Sequence, residues 1–168
     1  MLPTPRWRPT ARLLVVDPAH RVLLFRFRNE QGEVSWLTPG GGIHRGESVE
    51  AAAVRELGEE TGHVIDEASL GPVVATRAGM WRSWRGGRLT FAADTFFLVR
   101  VDHAEVSTEG HQEIERTLIT GHHWWTVDEL RATTEYVSPP GLGDLTAGLL
   151  AGGAPARPAR LPWRGPAT

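Results

Sequence analysis

The sequence contains no cysteine and no lysine. The first absence excludes disulfides, thiol nucleophiles, haem attachment and every cysteine-ligated zinc or iron–sulfur centre. The second excludes Schiff-base chemistry through lysine and the phosphate-gripping lysine of a Walker A loop. All 18 basic residues are therefore arginine. No apolar run approaches the roughly 20 residues that cross a bilayer, and the opening MLPTPRWRPT lacks the apolar core of a signal peptide. A cytoplasmic chain with no membrane partner is expected. Formal net charge is only −2, too little for a global field that holds a nucleic-acid duplex, so such a role needs a local patch. At 168 residues, with 40% hydrophobic and 23% charged side chains, the chain suits a single domain with one core.

Apolar runs on either side of Asp17-Pro18-Ala19-His20 predict a β-hairpin over 11–27. Trp36-Leu37-Thr38 reads as a strand that ends in a flexible loop, Pro39-Gly40-Gly41-Gly42. Ser48 to Thr61 has three successive alanines and no proline, and Gly62 follows where a left-handed residue is wanted, so a helix is predicted. Strands are expected at 73–78 and 89–101, joined through 80–88 with Gly86-Gly87 as the turn. A loop over 102–112, a strand over 119–125, a helix from the Thr126-x-x-Glu129 capping box and a weak helix over 142–150 complete the order. Residues 1–9 read as an N-terminal segment, 10–150 as the domain and 151–168, rich in proline and glycine, as an extended or poorly ordered tail.

Carboxylates crowd the helix beyond what solubility requires. Glu56, Glu59 and Glu60 fall at i, i+3 and i+4, within about a third of the helix circumference. Such a cluster repels itself, and an all-oxygen donor set favours a hard cation, Mg²⁺ or Mn²⁺. Val54 and Leu57 are the positions expected to face the core. Glutamate-rich helices are also common on ordinary surfaces, so the triad alone is a weak motif.

The full spacing is far more specific. Gly41, Glu47, Arg55, Glu56, Leu57, Glu59, Glu60 and Gly62 occupy eight of the nine specified positions of the box that defines the Nudix hydrolases, and the chain resembles that family. The departure is His63, where relatives carry an aliphatic residue. The resemblance extends over roughly 10–131 and implies an α/β fold, a Nudix-type α/β/α sandwich around a mixed sheet. It implies metal-dependent cleavage of a nucleoside diphosphate linked to another moiety X. Carried over by position, Glu56, Glu59, Glu60 and the Gly40 carbonyl are metal ligands, Arg55 orients carboxylates and Glu47 supports the site. A glutamate beyond the box often completes such a centre, here Glu113 or Glu115. The general base is a box glutamate or an acid near Glu109, Glu113 or Glu115. Many relatives are homodimers.

Chemistry points the same way. A diphosphate repels incoming hydroxide, so cations that neutralise it and acidify a bound water are needed. For substrate, Arg26 and Arg28 suit phosphate, and Trp36, Trp81 and Trp84 suit base stacking. His122 and His123 are at strand spacing and face opposite sides, so they form no ligand pair. Ala78 and Gly79 stand where ADP-ribose pyrophosphatases usually have proline, and the only tyrosine, Tyr136, is misplaced for the diadenosine-polyphosphate enzymes. Two other uses of the fold fit the residues less well. A non-catalytic nucleotide sensor usually loses box carboxylates, which this chain keeps, and an allylic diphosphate isomerase needs a cysteine, which it lacks.

Overall fold

In the computed structural model, which describes residues 4–82 and 88–163, the run Arg6–Val16 forms β1 at the centre of a mixed sheet. Its buried positions concentrate toward the C-terminal half, Ala11 and Leu13 to Val16. The turn Asp17–His20 returns the chain into β2 (Val22–Arg28). Asp17 shapes that turn by accepting from the backbone N–H groups of Ala19 and Arg21 and from the Arg21 guanidinium. β1 then pairs along its length, in parallel, with β6 (Leu89–Arg100). Strand β5 (Val73–Arg82) lies antiparallel on the far side of β6. On the other side, β2 takes β3 (Val34–Leu37) and β7 (Ile119–Trp125), while β3 takes β8 (Val137–Ser138).

The strand alternation gives the sheet two faces. Leu14, Val16, Leu24, Trp36, Phe96 and Trp125 pack under α3 (Val127–Ala132) and α4 (Leu142–Gly152). Ala11, Leu13, Val15, Phe25, Phe97 and Val99 pack under α1 (Val49–Thr61). α1 starts where Ser48 Oγ accepts from Ala51 N–H, and it ends at Gly62 with φ 78°, a left-handed conformation that glycine adopts without strain. Its core-facing positions are Ala52, Ala53 and Leu57. Val54 is only half-buried, which corrects the expectation that it points inward. The two alanines let the helix lie close to the sheet, and burying Leu57 contributes about 2 kcal/mol.

Three further expectations change. The glycine segment is not a free loop, because Gly40–Gly42 forms β4, antiparallel to Thr10–Arg12. A side chain at Gly40, with φ 127°, would run into the Ala11 carbonyl, so glycine is what allows this pairing. Residues 113–118, beyond the expected loop, form a short helix, α2. Neither terminal segment is entirely outside the sheet: β1 already begins at Arg6, and Ala159–Arg160 forms β9, parallel to β5. The expected Gly86-Gly87 turn and Trp84 lie outside the described residues. No helix of the described residues is long and apolar enough to cross a membrane.

Candidate metal centre and active site

α1 presents its acidic face to β4 and to the segment leading into α2. Glu60 and Glu56 are both buried, at 4% exposure. The Glu60 Oε2 accepts from Gly40 N–H at 2.6 Å. The Glu56 carboxylate occupies the space that a side chain at Gly41 would fill, which explains glycine there. Glu115, from α2, completes the group: one carboxylate oxygen from each of Glu56, Glu60 and Glu115 lies within 4.8 Å of the others.

The segment 102–112 delivers Glu115 by docking on the C-terminal end of α1. Ser107 N–H donates to the Thr61 carbonyl, buried His111 Nε2 lies 2.9 Å from the Glu60 carbonyl, and Gly110 packs directly on the Glu59 backbone. Gln112 N–H then donates to Glu115 Oε2 at 2.7 Å, tying that carboxylate to the start of its own helix.

Arg55 organises the rest of the box. Its Nε donates to Glu47 Oε1 at 2.8 Å, its Nη1 to Glu56 and Glu59, and its Nη2 to Glu47 and the Gly42 carbonyl. The hydrogen bond from Arg55 is the chief reason that Glu47 is held down at about 2. The same pair raises Arg55 above its already high ordinary value. Glu60 behaves oppositely. Burial, then the charges of Glu56 and Glu115, push it up to about 8 against the Gly40 hydrogen bond. Burial also raises Glu56 despite Arg55. Three carboxylates gathered together, two of them buried and pushed toward the protonated form, have the donor chemistry of a site for a hard divalent cation.

The structure does not bring every expected ligand together. Glu59 stands outside the three-carboxylate group, one-third exposed and held by Arg55 at 3.2 Å. Glu113, at the exposed start of α2, is also outside it. The Gly40 carbonyl accepts from Arg12 Nη1 at 2.9 Å. Of the substrate candidates, Arg28 lines a cavity of about 520 Å³ with Phe27, Ser35, Leu37, Leu118 and Tyr136. Leu118 is one turn beyond Glu115, and Leu37 comes three residues before Gly40. Arg26 is not on that lining and donates to Thr120 Oγ1. Trp36 is unavailable for base stacking. It is buried at 8% exposure, its indole meets Trp125 edge-on at 5.0 Å, and its N–H donates to Glu135. Trp81 is half-buried on β5 opposite Thr90. His122 and His123 point to opposite faces, against Phe25 and Trp36 respectively.

Sequence reading missed Arg8. Its half-buried guanidinium lies by Gly42, within electrostatic range of Glu56, and makes no hydrogen bond or ion pair among the described residues. Burial and the neighbouring Arg12 lower its affinity for a proton, so an anion there would be stabilising. The Arg6-Trp7-Arg8 run was the available clue.

A glycine strand, an acidic helix and a supporting arginine, set on a curled mixed sheet, define a class, and residues 6–142 match the model of the NUDIX domain. The chain belongs to the Nudix hydrolase family. Among individual proteins, it is 31% identical over 146 residues to an RNA pyrophosphohydrolase of Caulobacter vibrioides, covering 80% of this chain and 79% of that one. A mouse ADP-sugar pyrophosphatase is 42% identical over 59 residues, covering 35% of this chain and 27% of the relative. The fold matches the MutT protein of Methanosarcina mazei with a TM-score of 0.62 at 16% identity, covering 89% and 97% of the two chains.

Proposed function

We propose that the chain is a divalent-metal-dependent pyrophosphohydrolase that cleaves a nucleoside diphosphate linked to a moiety X into a nucleoside monophosphate and phosphorylated X. The observation that carries this reading is the meeting of Glu56, Glu60 and Glu115 within 4.8 Å in a buried setting. These three carboxylates would hold Mg²⁺ or Mn²⁺, with Glu59 and the Gly40 carbonyl as the adjoining oxygen donors. When bound, the ion supplies charge neutralisation for the diphosphate and acidifies a water.

The protein's own groups do the remaining work. Arg55 fixes Glu56 and Glu59 in orientation, and Glu47 fixes Arg55. Arg8 and Arg28 are the cations for the substrate's phosphates, and the cavity beside Arg28 is large enough for a nucleoside. A proton must leave the attacking water. Glu115, in the cluster, and Glu59, beside it on α1, are not fully buried, so they are the groups placed to accept it. The relatives' names favour a nucleotide-derived substrate, an RNA 5′ end in one case and an ADP-sugar in another.

The test is a panel of nucleotides with Mg²⁺ or Mn²⁺, read by release of two phosphorylated products. Chelation is expected to abolish release, and Glu60→Gln to lower kcat by about 10²-fold or more. Unchanged turnover in Glu60→Gln overturns the site. Tight nucleotide binding without turnover supports the non-catalytic sensor instead.

A further inference from the structure

Charge is segregated along this chain. Residues 1–16, 68–93 and 145–168 contain ten arginines and no acid, whereas the remainder holds the other eight arginines and all twenty Asp and Glu residues. Strand pairing gathers the described parts of these stretches at one side of the sheet: β1 lies on β6, β6 on β5, and β5 on β9. The side chains of Arg6, Arg88, Arg157 and Arg160 there are exposed and make no hydrogen bond or ion pair among the described residues; Arg160, paired with Thr76, is on the same face as Thr95 and Phe91, whereas Arg6, next to Trp7, turns to the opposite face.

The same region has an uncovered apolar face. Along β6 the residues facing the α3 and α4 side, Thr90, Ala92 and Asp94, are buried, but Phe91, Ala93 and Thr95, on the α1 side, are only half-buried. α1 covers this face further along, over Ala11, Leu13 and Phe97, and stops short of its outer end. Trp7, Phe91 and Met80 form a ladder across three strands of that end. Trp7 is 60% and Met80 44% exposed, and Trp7 stacks on Phe91 at 5.3 Å and 16°. Beside the ladder, Thr76, Ala78, Ala93 and Thr95 floor a groove of about 420 Å³ that Arg160 borders.

We propose that this aromatic face, with Arg160 on it, is a docking surface for a single-stranded nucleic acid. Flat exposed rings accept bases of any sequence by stacking, and unpaired arginines supply the complement to a phosphate backbone. A duplex, whose bases are already stacked, does not use such a ladder. Trp7 and Ala11 are four residues apart on the same face of β1, about 13 Å along the strand, and Ala11 pairs with Gly41 beside Glu56. That span suits a few stacked nucleotides. A strand lying on the ladder with its 5′ end toward Ala11 has its 5′ phosphates near the carboxylate cluster, an orientation that rests on the hydrolase reading, whereas the docking itself does not.

The test measures binding of a 5′-hydroxyl oligoribonucleotide of about eight nucleotides, which offers no diphosphate to cleave, by fluorescence anisotropy on the full chain. Binding is expected to weaken steeply with salt, and Trp7→Ala to weaken it about tenfold. Arg160→Glu is expected to weaken it and reduce the salt slope. Both positions are exposed, and turnover of a mononucleotide substrate should be unchanged in both variants. Absence of oligonucleotide binding, or binding insensitive to both substitutions, overturns the proposal. So does tighter binding to phosphatidylserine vesicles, or a dimer that Trp7→Ala dissociates, either of which assigns the face to another occupant. Loss of mononucleotide turnover in Glu60→Gln bears only on the hydrolase reading.

Discussion

Glu60 carries the sharpest electrostatic prediction. Its ordinary value is 4.5 and the folded protein raises it to about 8, chiefly by burial. A carboxyl that holds its proton more tightly when folded favours folding only while protonated. Stability of the metal-free protein should thus fall as pH rises from about 4.5 to about 8, and Glu56, also raised, adds in the same direction. Calorimetric Tm of chelated protein across that window checks this, and saturating Mg²⁺ should flatten the dependence. The two acids of α2 separate cleanly. Glu115→Gln is expected to reduce kcat about 10²-fold, while Glu113→Gln leaves it unchanged, as measured by product release. Sequence alone left these two equal. The box is contiguous, so helical spacing reveals it, but Glu115 reaches Glu60 only because Ser107, Gly110 and His111 dock on α1. Such long-range contacts leave no periodic trace. His63, the one mismatch to the box, is buried beside His103 with its ring centroid 4.5 Å away, and burial favours its neutral form.

At the scale of elements, α1 was readable from its cap, its alanines and Gly62, whereas α2 was not. Six residues are too few for a hydrophobic period, and its start uses Gln112 where serine or threonine would have marked a cap. β4 was hidden for a different reason. Three glycines have low strand propensity, and they pair with β1 because only a bare backbone fits between Ala11 and the Glu56 carboxylate. Gly41→Ala tests that fit. The new methyl meets the movable end of Glu56 rather than backbone, so the fold should persist with Tm little changed. Mn²⁺ affinity should drop about tenfold, measured by titration calorimetry.

For the whole molecule, the single domain followed from length and composition and the mixed α/β sheet from the resemblance to the family, but the docking place of the tail did not. Its composition reads as an extended or poorly ordered tail, and the structure docks part of it: Leu161 N–H donates to the Thr76 carbonyl and Trp163 fills the space above Gly79. Trp163 also lies 5.0 Å from the Arg77 guanidinium, whose other neighbours include Phe96, Asp94 and Ser138. The partner of the tail is a glycine and an arginine some eighty residues upstream, which local composition does not reveal. Trp163→Ala should cost about 1–2 kcal/mol, seen as a lower Tm with kcat unchanged.

The parallel pairing of β1 with β6 has a consequence for biosynthesis. Trp7 meets Phe91, so the first strand waits for partners more than eighty residues later. A ribosome will have released the entire acidic helix before the sheet that supports it can close, and closing so long a loop is entropically slow. Until then the nascent chain exposes a sticky, positively charged β1, and a chaperone that shields that strand would guard the step at which this protein is most prone to aggregate.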